Sequence, residues 1–205
     1  MTFYPLPTIG FFGGSFDPIH FGHISLIIEM FERRGLDHIL VCPALVSPTK
    51  QERPPIASPE HRANMVRVGL EDLPFCELYE AELYRASPSY TIDTIKNILA
   101  VRSERIMLIL AEDVACDLDK WKNYEELLEL TSPLIGTRLR ANHAQWNRLP
   151  KHIRLKLQQG KCHIPTMDID STTIRKRLQK NLYCGHLLPQ KVLDYIYRNK
   201  LYSDF

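Results

Sequence analysis

The chain has 205 residues and a formal net charge of +2, with 44% hydrophobic and 24% charged residues, which favours one globular domain. The near balance of charge gives no strong attraction to nucleic acid, and no apolar run is long enough to span a membrane. Five cysteines without a Cys-x-x-Cys pair are typical of reduced thiols, so we expect a cytoplasmic protein rather than a disulfide-bonded one.

The first predicted element is a buried strand over residues 9–12, a short apolar run of the kind found in parallel sheets. A helix is predicted over 24–34, where apolar residues recur at helical spacing. Between them, residues 13–23 read Gly-Gly-Ser-Phe-Asp-Pro-Ile-His-Phe-Gly-His. Glycines allow backbone N–H groups to approach a ligand, and a helix N-terminus offers unpaired N–H donors to an anion. With His20 and His23 as added donors, this segment predicts a phosphate site.

Other glycine-rich sites differ from this segment in their spacing. The chain contains no Gly-x-Gly-x-x-Gly fingerprint and no P-loop, and Asp17 stands where a hydrolase Gly-x-Ser-x-Gly has its second glycine. A zinc site at His20 and His23 lacks a cysteine or glutamate at ligand spacing. Spacing alone leaves two interpretations open: a phosphate site, or a glycine turn with two solvated histidines.

Strands and helices alternate along the rest of the chain. The predicted strands are 38–43, 75–84 (nearer a sheet edge), 105–110 (central), 132–139 and 163–165, and helices are predicted to start at Ser58, Thr91, Asp117, Asp170 and Pro189. This alternation predicts an α/β fold with a doubly wound, mainly parallel sheet, in which ligands lie beyond the carboxyl ends of the strands. Residues 44–58 form a proline-rich loop that suits a lid or binding loop. We expect a single domain over 1–205, with 166–205 as a C-terminal helical subregion.

Two segments of the second half are candidate anion sites. Residues 138–161 carry many basic side chains, but Trp146 is the one Phe, Tyr or Trp residue among them. A solvated surface is therefore favoured over a nucleic-acid site. Residues 170–175 read Asp-Ser-Thr-Thr-Ile-Arg and open a helix. Hydroxyls and an arginine on a first turn predict a second phosphate site. Simple capping by Asp170 or Ser171 is the alternative, and the two can coexist.

Residues 13–23 resemble the signature Gly-x-Phe-Asp-Pro-x-His-x-Gly-His of the nucleotidyltransferase superfamily, which transfers nucleoside monophosphates from triphosphates. Residues 169–175 resemble the Ile-Ser-Ser-Thr-x-Ile-Arg signature of nicotinate-nucleotide adenylyltransferases and their nicotinamide cousins. The Ser-Tyr-Thr loop at 89–94 and the closing helix at 189–202 are similar to further segments of that family, as is the pair formed by Asp113 and Trp121. Cytidylyltransferases share the histidine signature but lack the Ser-Tyr-Thr loop.

The resemblance implies a Rossmann-like nucleotidyltransferase fold and an adenylyl transfer in NAD biosynthesis. ATP and nicotinate mononucleotide would give deamido-NAD and pyrophosphate, with Mg²⁺ carried by the ATP phosphates and no metal site on the protein. A homo-oligomer is compatible with the sequence, and neither nucleic acid nor a membrane is implied as a partner. The alternatives are nicotinamide mononucleotide as the preferred substrate, or a catalytically weakened nucleotide-binding relative.

The resemblance also implies a role for each matching residue. It makes His20, His23 and Arg175 catalytic; Gly13, Gly14, Ser15, Phe16, Gly22, Asp113, Ser171 and Thr172 ATP-binding; and Lys50, Tyr90, Thr91 and Trp121 mononucleotide-binding. In this assignment, Trp121 stacks on the pyridine ring and Thr91 receives its carboxylate.

The sequence departs from the family pattern at several positions. Ala111 stands where the family usually has glycine, Thr49 replaces a frequent histidine, and the common Arg-Pro-Gly after the fifth strand is absent. Asp170 replaces the first serine of the second signature, which puts a negative charge beside a predicted triphosphate. We expect its side chain to cap the helix from the outer side, leaving Ser171, Thr172 and Arg175 for the phosphates.

Overall fold

Six segments of the chain form one parallel sheet in the computed structural model, which describes residues 6–48, 52–85, 88–137, 143–165 and 167–202. The strands are β1 (Thr8–Gly14), β2 (His38–Pro43), β3 (Cys76–Leu78), β4 (Arg105–Ala111), β5 (Ser132–Thr137) and β6 (Lys161–His163). Their order is β3-β2-β1-β4-β5-β6, and β1 pairs in parallel with β4. The order reverses between β1 and β4, which is the topological switch point of a doubly wound sheet. The predicted α/β fold is confirmed.

Helices connect the strands, and two further helices follow the last strand. They are α1 (Phe21–Arg34), α2 (Pro59–Gly69), α3 (Thr91–Leu99), α4 (Glu112–Ala115), α5 (Tyr124–Leu130), α6 (His143–Arg148), α7 (Lys151–Gln159), α8 (Ser171–Gln179) and α9 (Gln190–Arg198). The predicted start of α2 is confirmed, since the Ser58 hydroxyl accepts a hydrogen bond from the His61 N–H at 3.2 Å and Pro59 occupies the first turn. None of the helices in the described part of the chain has the length and apolar character of a membrane span.

Strand β1 is buried on both sides of the sheet. Ile9 and Phe11 have no solvent exposure, as expected for a parallel strand covered by helices on both faces. Gly10 permits this packing, because a Cβ atom there would lie 2.7 Å from Ile109 Cδ1 and 3.0 Å from Ile39 Cγ1. The carboxyl end of this strand leads directly into the segment of residues 13–23.

The predicted strand at 75–84 is shorter in the structure. Only Cys76–Leu78 is a strand, and it lies at the edge of the sheet as expected. Beyond it the Tyr79 N–H still donates to the Val41 carbonyl at 2.9 Å, but the chain then turns, with the Leu83 N–H bonded to the Glu80 carbonyl at 3.0 Å. Glutamate is depleted in strands, and Glu80 lies where the pairing ends.

One predicted helix start agrees with the structure and one does not. Thr91 is the first residue of α3, as predicted, while Tyr90 rather than Thr91 is its cap, without a side-chain capping bond. The predicted helix from Asp117 is wrong in its first half, where a 3-10 turn over Leu118–Lys120 precedes an extended Trp121. Asn123 then adopts a left-handed φ of 49°, which interrupts the helix before α5 begins.

The contacts divide the chain into two compact units. The first unit contains the described residues of 1–12, 26–40 and 90–166, and the second unit those of 13–25, 41–89 and 167–205. Helices α8 and α9 therefore belong to the second unit, together with residues 13–23. A single domain over the whole chain stays a prediction.

Candidate active site

Asp17 is the central buried group of the second unit. The residue is 3% exposed, and its Oδ2 accepts a hydrogen bond from the Ile56 N–H at 2.8 Å. Its Oδ1 accepts from the Ala57 N–H at 3.1 Å and from the Tyr202 hydroxyl at 2.7 Å. A buried carboxylate is stable only when its oxygens are satisfied in this way. Asp17 thus joins residues 13–23 to the loop before α2 and to the segment after α9.

The first turn of α8 is attached to the same place. Arg175 Nη1 donates to the Asp17 carbonyl at 2.7 Å and lies 3.6 Å from Asp17 Oδ2, while its Nη2 donates to Thr172 Oγ1 at 3.3 Å. The Ser171 hydroxyl donates to the Pro18 carbonyl at 3.0 Å. The structure therefore brings together residues 13–23 and residues 170–175, the two segments that the sequence predicts as phosphate sites.

The two histidines lie at the start of α1. The His20 carbonyl accepts from the backbone N–H groups of His23 at 2.9 Å and Ile24 at 3.1 Å, which places His20 at the cap position. The His20 N–H in turn donates to His23 Nδ1 at 3.3 Å. The bond from His20 to the His23 ring corresponds to one half of a capping box, with histidine in the place of the usual glutamate. Because Nδ1 of neutral His23 acts as the acceptor, its proton is on Nε2.

Ring packing explains the residues around the histidines. Phe16 has a left-handed φ of 47°, a conformation that costs about 1–3 kcal/mol in a non-glycine residue and is frequent at functional sites. Its buried ring contacts the His23 ring edge-on, with centroids 5.0 Å apart. A Cβ atom on Gly14 would lie 3.0 Å from the Phe16 ring, and one on Gly22 would lie 3.1 Å from the His20 ring. These two glycines make room for side chains of the same segment.

The start of α1 is partly occupied by protein. The Phe21 N–H donates to the Leu187 carbonyl at 3.0 Å, so this one of the first-turn N–H groups is already paired within the protein. Among the donors that residues 13–23 could offer to an anion, we therefore favour the imidazole rings over this N–H group.

Arg62 of α2 holds the loops around residues 13–23 and was not predicted. Its side chain is 1% exposed, and its guanidinium donates to the carbonyls of Ser15 at 2.8 Å, Ala44 at 2.6 Å and Leu45 at 3.0 Å. Burial lowers its pKa, yet a guanidinium remains protonated in proteins. Its position four residues before the buried Val66 is a sequence signal that could have placed it on the inner face of the helix.

Asp170 caps α8, as predicted. Its Oδ1 accepts from the Thr173 N–H at 2.8 Å and its Oδ2 accepts from the Thr173 hydroxyl at 2.8 Å. Burial raises the pKa of the Asp170 carboxyl, but the hydrogen bonds from Thr173, with a smaller contribution from His20, outweigh it and the net pKa is lowered. The capping part of the expectation is confirmed, and its consequence for phosphate binding stays a prediction.

In the first unit, one predicted mononucleotide residue, Tyr90, contacts Lys122, and two others are sequence neighbours of this pair. Lys122 Nζ lies 4.5 Å from the centre of the Tyr90 ring and 3.0 Å from Asp93 Oδ2. Thr91 follows Tyr90 at the start of α3, and the half-buried Trp121 precedes Lys122. Because Trp121 is not fully buried, its aromatic side chain is compatible with stacking on a ligand.

The other predicted positions are more scattered. Asp113 is exposed in α4, directly after β4. Its neighbour Glu112 is buried and pairs with Lys161 Nζ at 3.3 Å, and the same ammonium lies 3.5 Å from the centre of the Trp146 ring. Lys161 is thus held by the protein, which corrects the expectation that the whole basic stretch is a solvated surface.

Some predicted residues do not take part in these clusters or lie outside the described ranges. Gly13 is exposed at the end of β1, and Ser15 contributes its carbonyl to Arg62. Lys50, which was predicted to bind the mononucleotide, and Thr49 lie outside the described residues, as do Arg138 and Arg140 of the basic stretch. Within the described ranges, no group of three or more His, Cys, Asp or Glu side chains is arranged to hold a metal ion.

Comparison with known proteins agrees with this architecture. A family model described as cytidylyltransferase-like matches residues 11–177. A probable nicotinate-nucleotide adenylyltransferase of Hydrogenobaculum is 33% identical, over 95% of this chain and 98% of the relative. The corresponding protein of Carboxydothermus hydrogenoformans is 32% identical, over 95% and 97% of the two chains.

Solved structures show the same fold. The nicotinic acid mononucleotide adenylyltransferase of Plasmodium falciparum complexed with NaAD superposes with a TM-score of 0.75 at 20% identity, over 96% of this chain and 97% of that one. A putative nicotinate-nucleotide adenylyltransferase from Vibrio parahaemolyticus gives a TM-score of 0.67 at 18% identity, over 98% of each chain. From the match over residues 11–177 and relatives that align along nearly its whole length, the chain belongs to the nicotinate-nucleotide adenylyltransferase family of cytidylyltransferase-like proteins.

Proposed function

We propose that this protein transfers the adenylyl group of ATP to nicotinate mononucleotide, giving deamido-NAD and pyrophosphate. The observation that carries the proposal is the attachment of the second signature segment to the first: Arg175 and Ser171 donate to the carbonyls of Asp17 and Pro18, in the segment that also carries two imidazoles at the start of α1. This donor set suits phosphate oxygens. The names of the relatives, and the NaAD complex of the Plasmodium falciparum protein, support the choice of substrates.

The reaction needs positioned charge rather than a strong base. A 5′-phosphate oxygen of the mononucleotide, already an anion at neutral pH, forms a bond to the α-phosphorus of ATP. The bond from that phosphorus to the oxygen bridging to the β-phosphate breaks, and pyrophosphate leaves with the electron pair. Catalysis then consists of alignment and of donors aimed at the phosphate oxygens.

In this scheme His20 and the Nε2–H group of His23 serve the α-phosphate, and Arg175 serves the leaving group. The proposed ATP-binding set is completed by Gly13, Gly14, Ser15, Phe16, Gly22, Asp113, Ser171 and Thr172, and the mononucleotide set is Lys50, Tyr90, Thr91 and Trp121. We assign the aromatic residue Trp121 to stacking on the pyridine ring because it is half-buried and lies beside the Tyr90 and Lys122 cluster.

A divalent cation, Mg²⁺, would be carried by the triphosphate and would neutralise its charge. The protein groups of this cluster fit such an arrangement, because they are mostly nitrogen donors that pair with phosphate rather than oxygen ligands. The carboxylate of Asp17 already accepts hydrogen bonds from Ile56, Ala57 and Tyr202. We place the reaction in the cytoplasm, where the free cysteines of the chain would stay reduced.

The test is pyrophosphate release from ATP, measured in parallel with nicotinate mononucleotide and with nicotinamide mononucleotide. We expect turnover with the nicotinate substrate and a lower kcat/KM with the amide. A higher kcat/KM with the amide would reverse the substrate assignment. Release with neither mononucleotide, from protein that still binds ATP, would identify a nucleotide-binding relative that has lost catalysis.

A further inference from the structure

We propose that Tyr202 is a positioning residue for Arg175 and acts through the carboxylate of Asp17. The inference rests on the proposed adenylyl transfer and adds to it a residue from the segment after α9. The resemblance to the family places Tyr202 in the closing segment and implies no role for it. Its hydroxyl, the Asp17 carboxylate and the Arg175 guanidinium form one continuous chain of contacts.

The geometry of Tyr202 is that of a donor built into the interior. The residue is 8% exposed, has a left-handed φ of 62°, and its hydroxyl lies 2.7 Å from Asp17 Oδ1 and 3.8 Å from Met65 Sδ. Burial raises the pKa of this phenol, and the neighbouring Asp17 charge raises it further. The hydroxyl therefore stays protonated and donates a hydrogen bond to the carboxylate. The residue with this left-handed backbone conformation is thus the one that makes the buried hydrogen bond to Asp17.

Asp17 transmits this contact to Arg175 in two ways. Its carbonyl accepts directly from Arg175 Nη1 at 2.7 Å, and its Oδ2 lies 3.6 Å from the same nitrogen. Hydrogen bonds from Tyr202, Ile56 and Ala57 fix the plane of the carboxylate and spread its charge. Without the Tyr202 donor the carboxylate would keep more uncompensated negative charge and be freer to rotate, and it would draw the guanidinium inward, away from the phosphates.

Tyr195 provides a matched comparison. It also belongs to the C-terminal part of the second unit and also has a hydrogen-bonded hydroxyl, which lies 2.9 Å from His61 Nδ1 and 3.0 Å from Asn64 Nδ2. These partners are in α2 and are not Asp17. Removing the Tyr195 hydroxyl therefore perturbs the attachment of α9 without touching the contacts to Arg175.

The experiment compares Tyr202→Phe with Tyr195→Phe in steady-state kinetics, well below the lower of the two melting temperatures. We expect Tyr202→Phe to lower kcat about tenfold, the scale of one hydrogen bond to a charged group, with KM for the mononucleotide unchanged. Tyr195→Phe should leave kcat within about twofold of the parent, because it lies outside this chain of contacts. Equal kcat values for the two variants would overturn the proposal.

A double-mutant cycle shows whether the effect passes through Arg175. In an Arg175→Ala background, Tyr202→Phe should have little further effect on kcat, whereas a full tenfold loss there would assign Tyr202 a general structural role. Calorimetric titration of inorganic pyrophosphate needs no turnover and should show about tenfold weaker binding by Tyr202→Phe only. If the parent protein has no transferase activity, the proposed function fails, and the pyrophosphate titration still decides the role of Tyr202: unchanged affinity overturns it.

Discussion

The backbone N–H of His20 donates to Nδ1 of His23 at 3.3 Å, and the two imidazole rings stack with centroids 3.7 Å apart. Nδ1 of His23 is therefore used to cap α1, and Nε2 carries the N–H group that can donate a hydrogen bond to a phosphate. The same side chain serves the helix start and the proposed chemistry. These two roles can be separated by substitution.

His23→Ala removes both roles, whereas His23→Gln keeps an acceptor at a position where glutamine forms capping boxes. We expect both variants to lose about 10²-fold or more in kcat, the scale of one preorganised donor. Only the alanine variant should also lose about 1 kcal/mol of stability, because it lacks the cap. Kinetics and chemical denaturation measure the two effects. Activity of either variant within about threefold of the parent would remove the imidazole from the chemistry.

Trp121→Ala tests the mononucleotide cluster. We expect KM for the mononucleotide to rise roughly tenfold, the scale of one lost stacking contact, with KM for ATP nearly unchanged. Trp146→Ala is the control, since that ring contacts Lys161 and is assigned to neither substrate. A thermal melt accompanies the kinetics. If both KM values rise together and stability falls by several kcal/mol, Trp121 is a core residue and its assignment is wrong.

Asp170→Ser restores the family residue at the cap of α8. A serine can still accept from the Thr173 N–H, but it gives up the second bond, from the Thr173 hydroxyl, and the negative charge. We expect ATP to bind several-fold more tightly, with a smaller difference at high salt because screening weakens the repulsion. Calorimetric titration at two salt concentrations checks this. Equal affinities at low salt would show that the charge lies too far from the phosphates to matter.

The same residue gives a pH dependence of stability. The pKa of Asp170 is lower in the folded protein than its ordinary value, so its contribution is present above the unfolded pKa of about 3.9 and is lost as pH falls through the folded pKa. The parent should therefore lose stability relative to Asp170→Ser in that acidic range, and not between neutral pH and about pH 5. Denaturation curves at several pH values test this. A constant difference across the series would contradict it.

Arg62→Met tests the buried guanidinium. The carbonyls of Ser15, Ala44 and Leu45 would lose their donor, and each buried group left unsatisfied costs about 1–3 kcal/mol, so we expect a loss of about 3 kcal/mol or more. Arg67→Met on the same helix removes an exposed guanidinium that pairs with Glu80, and it should change stability by less than about 1 kcal/mol. Equal losses would show that the buried contacts contribute little.

The sequence predicted those features that depend on local patterns. Strand β2 and the start of α2 follow from an apolar run and from a serine before a proline, and both are signals within a few residues. The break before α5 depends on Asn123 in a left-handed conformation, which helical spacing does not reveal. In the site, His20, His23 and Arg175 stand in recognisable signatures. Arg62 and Tyr202 act through partners far along the chain, and no local pattern indicates such contacts.

The hydrogen bond between Tyr202 and Asp17 joins residues 185 positions apart in the chain. A ribosome adds about 5–20 residues per second, so roughly 10 to 40 s separate the synthesis of the acceptor from that of its donor. For most of this interval residues 13–23 lack α8, which ends at Gln179, and for all of it they lack the Tyr202 hydroxyl. A polypeptide whose translation stops before residue 202 cannot make this contact at all. Nascent chains are therefore expected to complete the contacts among Asp17, Arg175 and Tyr202 only when translation has passed α9. Early release would yield a protein in which the proposed site lacks Tyr202.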